Sequence, residues 1–161
     1  MVTPDSLNAL VGQSMADICP NGYDDILTNH CAHYVSHVLG LSFGTTCRTM
    51  SRRPTGDGAN IRVAQVFPRC AAVGRWADRP ATADPCLVFA TRAANVHLAR
   101  KSMDNVPQKH VGIFCSGQVW HYSNPADQVV RWTPDEFLTY FQTHYSGSDV
   151  SLFYGTFSAA T

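Results

Sequence analysis

The chain has few charges and no excess of either sign. Charged residues are 15% of the 161, and twelve basic side chains cancel twelve acidic ones. Without net charge or a basic run, it is not built to hold nucleic acid or an anionic membrane surface. The short Arg52-Arg53 pair reads as part of a solvated loop. The chain also lacks a long apolar run. Residues 1–22 show neither a positive n-region nor a continuous apolar h-region. This predicts no signal peptide, no membrane insertion and synthesis in the cytosol. CxxC spacing is missing too. The six cysteines, Cys19, Cys31, Cys47, Cys70, Cys86 and Cys115, are widely spaced. A reducing compartment therefore predicts free thiols rather than a disulfide framework.

What is present is an ordinary hydrophobic fraction, 45%, on a length that suits a single domain over 1–161 with its own core. Ser6 to Gly12 reads as a short helix, and Cys19-Pro20-Asn21-Gly22 as a turn. Asn29 or Thr28 can cap a helix that Gly40 stops. Residues 44–60 are loop-like, 61–67 a short helix, 74–85 another loop and 86–90 a strand. Residues 91–109 look irregular. Strands follow at 110–115, 118–123 and 129–132. Thr133-Pro134-Asp135-Glu136 opens a helix to His144 with a capping box, and 151–157 alternates as a final strand. Helices first and antiparallel strands after them predict an α+β domain.

The helix that starts near residue 30 carries Asn29-His30-Cys31-Ala32-His33-Tyr34-Val35-Ser36-His37. At about 100 degrees per residue, Cys31 falls in the middle of the apolar stripe of Tyr34, Val35, Val38 and Leu39. A thiol in a first turn receives the positive end of the helix dipole, which favours the thiolate. The backbone N–H of Cys31 is the expected oxyanion donor, because first-turn N–H groups lack helical partners. His30, His33 and His37 share a separate stripe. No thiol or carboxylate on the same helix is in register with them. The expectation is a solvated polar face with no metal, from which His30 or His33 touches substrate.

Ser116-Gly117 between two apolar runs predicts a two-residue hairpin turn. That turn pairs Cys115 with Gln118, and period-two alternation then puts His110, Gly112, Phe114, Val119, His121 and Ser123 on one face. His110 and His121 become diagonal neighbours, and Gly112 leaves room for their contact. His110 is the expected base for Cys31, and His121 the residue that orients it, with Asn124 a rival for that role. Tyr23 precedes the thiol and is a candidate to line the site.

The chain resembles the NlpC-type papain-like hydrolases of bacterial cell walls. The residues that carry this are Cys31-Ala-His-Tyr-Val-Ser-His-Val-Leu, Asp84-Pro85-Cys86-Leu87-Val88-Phe89, His110-Val111-Gly112-Ile113-Phe114, and Val119-Trp120-His121-Tyr122-Ser123. In that pattern Asp usually precedes the Cys and Ser-Gly follows it, whereas His30 and Ala32 stand here. The resemblance implies a papain-like fold with N-terminal helices packed on a central antiparallel sheet. It implies Cys31 as nucleophile, His110 as base and His121 as third residue, with no cofactor. The implied activity is cleavage of peptide or amide bonds in peptidoglycan stem peptides. Asn29-His-Cys-Ala-His-Tyr-Val is also similar to the lecithin:retinol acyltransferase-like branch. A CHAP-like amidase, an acyltransferase, a protein-directed effector and a non-catalytic binding module remain alternatives. With no signal peptide, a wall hydrolase of this kind would be a phage lysis protein or a delivered toxin acting in the periplasm or cell wall.

Overall fold

A computed structural model describes residues 1–157; the last four residues of the expected 1–161 domain lie outside the described residues. Two short helices open the chain, α1 (Pro4–Asn8) and α2 (Met15–Ile18). Thr3 caps α1 through a capping box with Ser6, so this helix begins and ends earlier than the expected Ser6-to-Gly12 span. Next comes α3 (Cys31–Leu39), stopped by Gly40 in the left-handed conformation at φ 68°. Within the expected 44–60 loop the chain forms a four-residue helix, α4 (Cys47–Met50), with a Thr46–Thr49 capping box. A further single turn, α5 (Val63–Val66), matches the expected short helix.

The strands are β1 (Ala72–Arg75), β2 (Cys86–Arg92), β3 (Val96–His97), β4 (Ser102–Met103), β5 (Lys109–Cys115), β6 (Gln118–Ser123), β7 (Gln128–Trp132) and, after α6 (Pro134–His144), β8 (Val150–Thr156). β3 and β4 pair only with each other, inside the segment that looked irregular. The other six form one sheet in the order β1-β8-β2-β5-β6-β7, every neighbouring pair antiparallel. The expected α+β class with a central antiparallel sheet is what the structure has. The end of β1, Gly74 and Arg75, falls in the expected 74–85 loop: Gly74 carries little strand signal of its own, and pairing with β8 supplies it.

Alternation along β2, β5 and β6 sorts the side chains into two cores. One side holds Leu87, Phe89, Val111, Ile113, Trp120 and Tyr122 against Cys31, Ala32, Tyr34 and Val35 of α3. The other holds Cys86, Val88, Ala90, Phe114 and Val119 against Phe137 and Phe141 of α6. The β5–β6 turn is the expected Ser116-Gly117 pair, with both residues at positive φ (49° and 82°) and Cys115 opposite Gln118. A Cβ on Gly112 would lie 3.0 Å from the Trp120 carbonyl oxygen and 3.1 Å from the His121 Cβ, so glycine lets the two strands approach there. α6 keeps its expected box: Thr133 accepts from the Glu136 N–H at 3.1 Å and Glu136 accepts from the Thr133 N–H at 3.2 Å.

Candidate functional site

Cys31 is the first residue of α3 and is 1% exposed. Its backbone N–H donates to the Asn29 side-chain oxygen at 3.0 Å. The donor expected to hold an oxyanion is thus already used by the Asn29 side chain, which lies one residue before the N-cap, His30, where Asn29 or Thr28 had been expected to cap. Burial pushes the thiol up to about 11. Hydrogen bonding from the Val111 and Ala32 backbone and the positive charge of Lys109 pull the other way without overcoming it. The expected dipole-driven thiolate is therefore not the resting form, since desolvation of a buried sulfur outweighs one helix end.

His110 and His121 meet as the hairpin parity requires. His110 Nε2 and His121 Nδ1 are 3.0 Å apart, with the rings edge to face. α6 and β7 complete the enclosure. The His110 ring stacks on Phe141 at 4.3 Å, and the His121 ring stands against Trp132 at 4.3 Å and Phe137 at 5.0 Å. His121 Nε2 is buried and has no hydrogen-bond partner among the described residues. Burial lowers both imidazoles, His121 to about 3; the neighbouring His121 and His144 charges lower His110 further.

The thiol and this pair belong to opposite sides of β5. Val111 packs with Cys31, while His110, one residue earlier, packs with Phe141. Among the described residues no hydrogen bond joins the Cys31 thiol to either imidazole. The expected pre-formed Cys31–His110 contact is corrected accordingly: the same alternation that unites the two histidines turns them away from the helix that carries the thiol. The two groups open instead on neighbouring clefts. Cys31 lines one of about 370 Å³ with Tyr23, Thr28, Asn29, Arg62, Pro107 and Lys109. His110 and His121 line one of about 520 Å³ with Asn124, Trp132, Tyr140, Phe141 and Tyr145. Asn29 and Pro107 border both.

Other candidates take different places. Tyr23 lines the thiol cleft as expected and sets its ring edge-on to His33 at 5.4 Å. Asn124 does not orient His110; its side-chain oxygen accepts the His30 backbone N–H at 3.0 Å, fixing the entry to α3. His30 and His33 are buried and line neither cleft, so the expected contact with substrate is not in place. The expected solvated histidine face is buried at His30 and His33 and half-buried at His37: the Tyr23 ring stands edge-on to the first two, and Cys47 Sγ lies 3.8 Å from His37 Nε2.

On that face lies a cluster that single-helix reasoning missed. Cys19, His33, His37 and Cys47 each offer one donor atom, and these atoms all lie within 4.8 Å of one another. The thiols come from outside α3: Cys19 follows α2, and Cys47 begins α4. Burial, with the charges of His37 and His30, lowers His33 to about 3. The legible signal was the i, i+4 spacing of His33 and His37, which puts both rings on one helix face. Which cysteines would join them depends on two chain reversals that no local pattern announces.

Comparison with protein-family models, with curated proteins and with solved structures yields no match.

Proposed function

We propose that this domain is a papain-like thiol hydrolase that cleaves amide bonds in peptidoglycan stem peptides. Cys31 is the nucleophile, His110 the proton carrier and His121 its positioning partner. The observation that carries this reading is the pairing of a first-turn thiol with an adjoining strand whose next residue, His110, is bonded to His121 at 3.0 Å. Two clefts bordered by the same Asn29 and Pro107 give one peptide a way to lie against both groups. The thiol cleft is lined by the cations Arg62 and Lys109 and by no acidic side chain, which suits a substrate carrying free carboxylates.

In this reading the Cys31 sulfur attacks the scissile carbonyl carbon. The thiol proton passes to His110 and then to the departing amine nitrogen, leaving a thioester. Water hydrolyses the thioester and returns the proton to sulfur. His121 accepts a hydrogen bond from protonated His110 and so lowers the cost of the imidazolium. The resting groups are both neutral and face opposite sides of β5, so in this reading the proton travels between the two clefts by way of the bound substrate and not through a direct thiol–imidazole contact.

The same burial favours a second reading, a binding module that keeps the fold without catalysis. Incubation with purified muropeptides and mass analysis separates the two. The hydrolase reading expects new peptide fragments, loss of turnover by about three orders of magnitude or more in Cys31→Ala, and a comparable loss in His110→Gln. Intact muropeptides would leave the binding module standing. Cleavage that survives Cys31→Ala would remove this thiol from the chemistry altogether.

A further inference from the structure

We infer that Cys19, His33, His37 and Cys47 form a tetrahedral Cys2His2 site for one zinc ion, separate from both clefts and independent of the hydrolase reading. Four groups of the two side-chain types zinc prefers converge here. His33 Nε2 and His37 Nε2 are 3.1 Å apart, Cys47 Sγ and His37 Nε2 are 3.8 Å apart, and every donor pair is within 4.8 Å. Bonds of about 2.0–2.3 Å to one zinc place neighbouring donors roughly 3.3–3.8 Å apart, so small side-chain shifts close the shell. Two thiolates and two neutral imidazoles cancel the ion's double charge. A neutral assembly is what a buried place tolerates, and Cys19, His33 and Cys47 are 5%, 0% and 0% exposed.

The groups behind these donors are arranged as metal sites require. The Asp25 backbone carbonyl only accepts hydrogen bonds and lies 2.8 Å from His30 Nε2, so that nitrogen carries its hydrogen. His30 Nδ1 in the neutral ring is then a lone pair, and it lies 3.1 Å from His33 Nδ1, which must donate to it. His33 Nε2 is left as a lone pair aimed into the cluster. Cys47 Sγ receives two N–H groups, from the Asn21 side chain and the Ala59 backbone, each at 3.3 Å. Two donors on one sulfur suit a thiolate.

The ligands span three segments of few local contacts: the turn after α2, helix α3 and the start of α4. An ion there ties the covering loops to the helix that presents Cys31. None of the four ligands lines the cleft of Cys31 or that of His110.

The test uses the untagged full chain, purified under reducing conditions. Elemental analysis is expected to find one zinc per chain. Exchange for cobalt is expected to give the visible bands of a tetrahedral ion together with a thiolate-to-cobalt charge-transfer band. Chelation should lower the melting temperature, with added zinc restoring it. The paired Cys19→Ser, Cys47→Ser variant should lose the metal, and Cys115→Ser should keep it. Chain that folds normally yet takes up neither zinc nor cobalt overturns the site. So does a Cys19–Cys47 disulfide found under these conditions, or zinc retained at full stoichiometry by the paired variant.

Discussion

Both sides of the sheet bury imidazoles, and they do so in opposite ways. On the α3 side, His30 and His33 are joined through a chain that ends on a backbone carbonyl, and His33 turns its free nitrogen toward two sulfurs. On the α6 side, His110 and His121 satisfy each other inside a wall of aromatic rings and leave His121 Nε2 with nothing to bind. One arrangement gathers lone pairs at a point where a cation fits. The other keeps a single proton position between two rings at the edge of a cleft. Histidine is the same residue in each; what converges on it decides its chemistry.

Three changes sharpen that contrast. The largest stability effect belongs to the aromatic wall. Phe137 is fully buried against His110, His121 and Phe141. Phe137→Ala should cost about 3–5 kcal/mol in denaturant unfolding, because the cavity it opens lies between helix and sheet. A loss under about 1 kcal/mol would mean that α6 is not held by this face.

Acid gives the next effect. His121 is pushed from 6.5 to about 3 by burial. The folded state therefore resists a proton that the unfolded chain accepts once pH drops below 6.5. Stability is whole above that value and falls between about pH 6.5 and 3, by about 1.4 kcal/mol per pH unit for each such histidine. Unfolding midpoints measured from pH 7 to 5 should decline, and His121→Leu should make the decline shallower. On the opposite side, zinc would hold two thiolates and two neutral imidazoles that take up protons on unfolding, so the zinc-loaded protein should lose stability more steeply with falling pH than the chelated form.

The smallest effect lies in α3. The Tyr34 hydroxyl is buried without a partner. Tyr34→Phe removes an unsatisfied group and little volume, so stability should hold or rise by about 1 kcal/mol. A clear loss in the same unfolding assay would reveal a bonded hydroxyl.

The hairpin was legible because its information is local. Ser116-Gly117 sets the turn, the turn sets parity, and parity brings His110 to His121. The α6 capping box and the Gly40 stop were legible for the same reason. Parity also says that Val111 and His110 face apart, and with Val111 on the α3 side this separates the thiol from the imidazole pair. β1 was not legible, because its strand character comes from β8, far along the chain. The histidine face looked solvated because helix periodicity shows which residues share a side, not what covers it.

By itself the sequence determined the local pieces: the Gly40 stop of α3, the capped start of α6, the β5–β6 register, the first-turn position of Cys31 and the shared face of two histidines. All follow from backbone periodicity and capping chemistry within a few residues. Only the tertiary structure decided how deeply Cys31 is buried, which wall encloses His110, and which two cysteines join His33 and His37. Those depend on desolvation and on contacts between segments far apart in the chain, and neither is written in any short run of residues.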